Sequence, residues 1–559
     1  MIPLGLSQSP PFLGHAGSYS LSERDAAWLR FRAMRALRQL ATPGGLLVLA
    51  LVAGLAVLAA LVFAQQRETQ RLEDELAQQR RELTELRRER EPRNPLSALL
   101  GGGEGGLDGL EGLLGGGEGG GVDGLEGLLG GQTGDLLRCA APAGEAGGGP
   151  ELDPGKLLEG LLDPGGDGQA GPRPADPEAE IRRLARQVER LRGLRFERPV
   201  DAELLDDNEI DARVAKLFRR EYPRERADLE GRILSALGAV PPGSDLYELR
   251  LRALQSQVAG LYVPQTGELL VRGGGELDSL ERLVLVHELE HALADQALDL
   301  PVPERPDPER ADSEAARLAL VEGDATLTMQ RYSLDSLDFS NLMELVGQAG
   351  TLLQSQQELE RLPHYLRQEL TFPYVTGLSF VCDRYMDGGW KAVDRAYGAP
   401  PAGTDQVMFP ERYGEKRTSE PAELGELGEP WSRRLASEFG AAPLRWLFEA
   451  PGGDPDAALP DPERAAAAWG GGRLEFWTRG EDSAVALALR QRPGEGGLCD
   501  ALARWYESAF PDARSADTED GEQLASDGPR QDAVLRCEDG EVMLGIAPNL
   551  YSARELAGS

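Results

Sequence analysis

The glycine-rich stretch from about residue 96 to 175 limits what this chain can fold into more than any other feature. Leu107-Asp108-Gly109-Leu110-Glu111-Gly112-Leu113-Leu114 recurs as Val122-Asp123-Gly124-Leu125-Glu126-Gly127-Leu128-Leu129, an internal repeat of 15 residues. Glycine loses more backbone freedom on ordering than any other residue, and little apolar surface is present here to offset that loss. The stretch reads as a flexible tether, with weak docking by the Leu-Leu pairs as a second reading. A packed fold is expected only beyond it, from near Pro177.

Upstream, Gly44 to Ala64 is a run of 21 residues without a charged side chain. At about 1.5 Å per helical residue it is long enough to cross a bilayer. It lies too far from the N-terminus, and is too long, for a cleaved signal peptide. Arg24, Arg30, Arg32, Arg35 and Arg38 precede it, which places residues 1–43 in the cytoplasm and the bulk of the chain on the extracytoplasmic side. Arg67, Arg71, Arg80 and Arg81 follow it, so the asymmetry is modest. Residues 65–91 carry Leu72, Leu76, Leu83 and Leu86 at heptad spacing, with Gln79 interrupting the seam. They form either a short coiled coil that makes a homodimer or a solitary stalk helix. Pro92 and Pro95 end this helix and open the linker of residues 92–176.

The charge balance excludes one class of partner. With 59 Lys and Arg against 94 Asp and Glu, the net charge of −35 is the wrong sign for nucleic acid. The four cysteines, Cys139, Cys382, Cys499 and Cys537, are spaced too widely for a zinc ribbon. Cys499 and Cys537 either pair in an oxidising compartment or remain as buried thiols.

From Pro177 the pattern turns globular. Ile181, Leu184, Val188, Leu191 and Leu194 mark one face of a helix, and Phe196 to Leu205 reads as a strand. Gly260 to Val263 and Glu268 to Val271, joined by Pro264-Gln265-Thr266-Gly267, read as a β-hairpin. Asp278 with Glu281 forms a capping-box signature for a helix from about Ser279 to Leu298. Beyond about residue 425 a helix over Trp431 to Phe448 is expected, then strands over Arg473–Thr478 and Ala484–Arg490. A helix at Leu498–Ser508 and strands within Ala533–Ile546 complete this part. Trp469-Gly470-Gly471-Gly472 reads as a turn. The expected class is α+β, with domains at 177–424 and 425–555, the second a small α+β module.

The first of those domains carries the chemistry. His287-Glu288-Leu289-Glu290-His291 places two of the chain's four histidines one helical turn apart, on one face. Both rings can then reach one metal ion, with Glu288 beside the open coordination position as a base. A catalytic zinc needs a third protein ligand. No histidine follows at short spacing, because His291 is followed by Ala292, Leu293, Ala294 and Asp295. Glu322 is the best candidate, in the apolar setting Ala319-Leu320-Val321-Glu322-Gly323-Asp324-Ala325, where an unpaired carboxylate is costly. Asp324 is a rival ligand, or an acceptor that orients a histidine.

Together with Gln257-Val258-Ala259-Gly260-Leu261-Tyr262, Phe372-Pro373-Tyr374 and Gly388-Gly389-Trp390, these elements resemble a small gluzincin-type metallopeptidase domain of a bacterial, often membrane-anchored family. The resemblance covers roughly residues 178–420. It implies a zincin-like core, mostly helical with a small sheet and an edge hairpin. It also implies one zinc ion per chain on His287, His291 and Glu322, with Glu288 as general base and a peptide or protein as substrate. Such enzymes also use a histidine or tyrosine to stabilise the oxyanion. Tyr374 is the preferred candidate here, and His364 is a weaker one. The expected protein is a single-pass, membrane-anchored zinc metallopeptidase. The alternative is a zinc-binding but proteolytically silent scaffold at the membrane.

Overall fold

The computed structural model describes Cys139 and residues 177–559, apart from 274–276, 304–305, 337–356, 417–422, 520 and 559. The expected membrane helix (44–64), the stalk (65–91) and, Cys139 aside, the linker (92–176) lie outside the described residues. Among the described residues no helix is long and apolar enough to cross a membrane. The architecture is mixed α+β, with two separate sheets.

Helix α1 (Pro177–Arg192) buries Ile181, Leu184 and Val188 along one face, as their spacing predicts. The strand expected over Phe196–Leu205 is confined to β1 (Ala202–Leu205). Pro199 has no N–H to give a ladder, and the Phe196 N–H is taken by Glu189 at 3.0 Å. Helices α2 (Asp207–Glu221), α3 (Arg224–Ala236) and α4 (Leu246–Gln257) then carry the chain to the hairpin of β2 (Gly260–Val263) and β3 (Glu268–Arg272). The strand order is β1-β3-β2, with β1 parallel and β2 antiparallel to β3, so β2 is an edge strand. Gly267 closes the turn at φ +70°, a conformation glycine adopts without penalty.

Helix α5 (Ser279–Leu298) starts at the expected capping box. Asp278 accepts the Glu281 N–H at 2.8 Å, and Glu281 accepts the Asp278 N–H at 2.8 Å. Leu285, Val286, Leu289, Ala292 and Leu293 bury the helix against the small sheet and its neighbours. Next come α6 (Ala311–Asp335), α7 (His364–Gly388), α8 (Trp390–Gly398) and α9 (Thr404–Met408).

Helices α6 and α7 touch backbone to backbone. A Cβ on Gly323 would overlap the Gly377 carbonyl, and one on Gly377 would overlap the Ala319 carbonyl. Gly323→Ala should therefore destabilise the protein by about 1–3 kcal/mol, despite alanine's better helix propensity, because a carbonyl cannot swing aside like a side chain. Chemical unfolding measures this, and an unchanged midpoint would contradict the close approach.

The C-terminal part comprises β4 (Ser432–Glu438), α10 (Ala441–Glu449), α11 (Pro462–Ala467), β5 (Trp469–Arg479) and β6 (Asp482–Gln491). It continues with α12 (Leu498–Ala509), β7 (Arg514–Ser515), β8 (Glu522–Asp527), β9 (Asp532–Glu538), β10 (Glu541–Ala547) and α13 (Leu550–Leu556). The strands form one antiparallel sheet in the order β4-β5-β6-β10-β9-β8-β7.

Two local readings are corrected here. The helix expected over Trp431–Phe448 is a strand and then a helix, because Ser432 to Glu438 find partners at Arg473 to Thr478. Trp469 to Gly472 is the start of β5 rather than a turn, with a register shift between Trp469 and Gly471. Gly472 has to be glycine, since a Cβ there would overlap the Phe439 carbonyl. One apolar cluster runs from Leu320, Leu327 and Phe380 to Trp446, Phe476 and Trp505. Both cysteine pairs are joined, Cys499 to Cys537 and Cys139 to Cys382.

Candidate metal centre

His287 and His291 project from the middle of α5, and Glu322 faces them from α6, where the Gly323–Gly377 contact brings α7 close as well. The three ligand-type atoms form a tight triangle. His287 Nε2 lies 3.1 Å from Glu322 Oε2 and 3.1 Å from His291 Nε2, and His291 Nε2 lies 3.3 Å from Glu322 Oε2. Ligand atoms of a tetrahedral zinc with bonds of about 2.0–2.1 Å sit roughly 3.3 Å apart, so the triangle fits that ion in size and donor type. Among the described residues these three are the group arranged to hold a metal.

The electrostatics agree with the geometry. Burial disfavours a charged imidazole at His291, but the charge and hydrogen bond of Glu322 outweigh it and push His291 up to about 10. Burial also works against ionisation of Glu322, yet the two histidines hold it well below the usual carboxylate range. His291 therefore holds a proton through the neutral range, and a bound cation has to displace it. Zinc affinity should then rise about tenfold per pH unit through the neutral range, until the pH approaches the His291 value. Competition with a chelator at two pH values measures the slope, and a pH-independent affinity would contradict it.

Glu288, between the two histidines in sequence, is buried and held from the edge of the small sheet. Its Oε2 accepts the Tyr262 N–H at 2.7 Å. That contact depends on Gly260, where a Cβ would crowd Val284 and Glu288. Burial lifts Glu288 above the ordinary carboxylate value, against the lowering effect of His291 and His287. Tyr374, from α7, places its ring centroid 6.1 Å from that of His287. The charge of Glu322 raises the Tyr374 phenol well above its ordinary value, so it keeps its proton. His364 is committed elsewhere: its Nε2 lies 2.9 Å from Glu449.

Asp324 is not among the three converging groups, and its hydrogen-bond partners are not histidines. Its carboxylate accepts from Arg192 Nε and Nη2, both at 2.9 Å, and from the Tyr397 hydroxyl at 2.9 Å. Arg192 is fully buried at the end of α1. It also lies 2.7 Å from Asp394 and 3.6 Å from Glu290, and it stacks on Trp390 at 4.4 Å. The carboxylate near His291 Nδ1 is Glu290, at 3.9 Å. Arg192, Glu290 and Tyr397 were not singled out from sequence. The available signal was periodicity, since Leu184 and Val188 continue by four to Arg192, on the apolar face of α1.

Comparison with known proteins is sparse. No protein-family profile matches the chain. No curated protein is similar to it either. Among solved structures, one similar chain is titled "Crystal structure of a putative hydrolase with a novel fold from Chloroflexus aurantiacus". It shares 16% identity over 50% of this chain and 95% of its own, with a TM-score of 0.28. That likeness is too low to establish a shared fold.

Proposed function

We propose that the chain is a membrane-anchored zinc metallopeptidase that hydrolyses peptide bonds. One observation carries this reading: the zinc-sized triangle of His287, His291 and Glu322 has a buried carboxylate, Glu288, fixed beside it. A zinc ion on those ligands would polarise the scissile carbonyl and bring the pKa of its water down to about 7. Glu288 would take the proton from the attacking water and deliver it to the leaving amine, a role suited by its raised pKa. The Tyr262 N–H keeps that carboxylate aimed, and the Tyr374 hydroxyl, which holds its proton, would donate to the oxyanion. β2 is an edge strand, so backbone groups there other than the Tyr262 N–H, which Glu288 takes, would serve an extended peptide.

The resemblance to small gluzincin domains supports this assignment. The uncharged run 44–64 supports the anchor, and residues 65–91 would pair two copies. The two disulfides favour an oxidising, extracytoplasmic side for the described residues.

Tyr374→Phe is expected to lower kcat about 10²–10³-fold with little change in KM, the effect of losing one oxyanion donor. Glu322→Ala should weaken zinc binding by more than the roughly 10–100-fold that loss of a supporting residue costs. Steady-state cleavage of casein-derived peptides and chelator competition measure the two effects. Full zinc affinity in Glu322→Ala would remove that residue from the ligand set, and unchanged kcat in Tyr374→Phe would remove the oxyanion role.

A further inference from the structure

A cavity of about 720 Å³ adjoins the candidate centre. Its wall includes Tyr374, next to His287, and Tyr262, whose N–H holds Glu288, so it ends beside the place where a scissile bond would lie. It falls within the roughly 300–1,000 Å³ of binding pockets and is far larger than one side chain. Phe218, Phe372 and Trp446 give it an aromatic lining. The C-terminal part lines it too, through Leu435 of β4, Leu474 of β5, and Pro443 and Trp446 of α10.

The charges in the wall are unfavourable to an acidic occupant. Five carboxylates face two guanidiniums there. Three of these charges pair with one another, Arg250 binding Glu369 at 2.7 Å and Glu230 as well. One side of the cavity is β2 itself, through Leu261, Tyr262 and Val263. The Tyr262 N–H is given to Glu288, but an edge strand can still hydrogen-bond an extended polypeptide through its remaining outward groups, whereas a lipid chain could not use them.

We infer that this cavity seats an apolar stretch of the substrate polypeptide, several residues long and free of acidic side chains. The C-terminal α+β part serves substrate selection by walling it. The inference rests on the peptidase reading and adds the substrate class: unfolded or extended polypeptide segments rich in Leu, Phe and similar side chains. Specificity then resides outside the catalytic residues, at positions such as Ala315 and the exposed Leu318, both of which line the cavity.

The test uses the full-length Glu288→Gln chain in lipid nanodiscs, with empty nanodiscs as the blank, so that the probe is bound and not cut. Fluorescence anisotropy follows a dye-labelled extended peptide carrying Leu-Phe-Leu, and the same peptide with Asp-Ser-Asp in those places. The apolar peptide should bind at least about tenfold more tightly, and Ala315→Trp and Leu318→Asp should each weaken it by about tenfold or more. Equal binding of the two peptides, or unchanged affinity in both variants, would overturn the inference. So would binding of a labelled fatty acid in preference to the peptide. The same peptides are offered to the wild-type chain. Cleavage that depends on Glu288 but shows no apolar preference would overturn the cavity inference alone. Selective binding without any cleavage would overturn both the peptidase reading and the cavity's role in serving it.

Discussion

Glu288→Gln is expected to reduce peptide cleavage about 10²–10⁴-fold while leaving zinc affinity unchanged. The carboxylate is buried, accepts a single backbone N–H from Tyr262, and is not one of the three converging ligand atoms. Glutamine keeps the shape and can still meet Tyr262, so the loss reads proton transfer rather than misfolding. The pH profile should change with it, because the acidic limb of kcat/KM in the wild type would report ionisation of the base. Steady-state kinetics together with metal analysis on the same preparations separate the effects. Activity within about tenfold of wild type would deny Glu288 its role as base.

The second large effect is on stability. Arg192→Met keeps an apolar stem but deletes the one cation that Asp324 and Glu290 share in a fully buried pocket. Leaving the buried Asp324 carboxylate without its partner costs about 3–5 kcal/mol, whereas burial already keeps Glu290 protonated. Chemical unfolding of the two proteins measures this. Adding Asp324→Asn to Arg192→Met should restore part of the loss, since the variant then buries one fewer unpaired charge. A loss below about 1 kcal/mol in the single variant, or no recovery in the double, would show that the network is not what joins α1 to α6. Zinc affinity should fall along with stability, because Asp324 lies two residues from Glu322 on the same helix.

These two residues mark how far the sequence alone could be read. The capping box at Asp278, the extent of α5, the β2–β3 turn and the pairing of β5 with β6 all depend on neighbours within a few residues, and local chemistry specifies them. Glu322 could be picked out because a carboxylate among Leu, Ala and Val needs a reason to be there. Arg192 could not be picked out in the same way, since its partner Asp324 is 132 residues away. The role of Gly260 depends on how β2 meets α5, which no periodicity encodes. The strand at Ser432–Glu438 departs from the helix expected there for a related reason. Its ladder partners at Arg473 to Thr478 decide its conformation, and they override a helix-like local pattern. Asp324, expected as a rival ligand or an acceptor for a histidine, instead takes its partners from α1 and α8.

The proposed catalyst and the silent scaffold share one metal site and differ only in what that site does. Zinc titration of the metal-free full-length chain, with metal binding and peptide cleavage read on the same samples, tests this most directly. The account predicts saturation at one zinc per chain, with cleavage rising in parallel and lost on chelation. One zinc bound with no cleavage of any peptide would contradict it and leave a metal-stabilised scaffold.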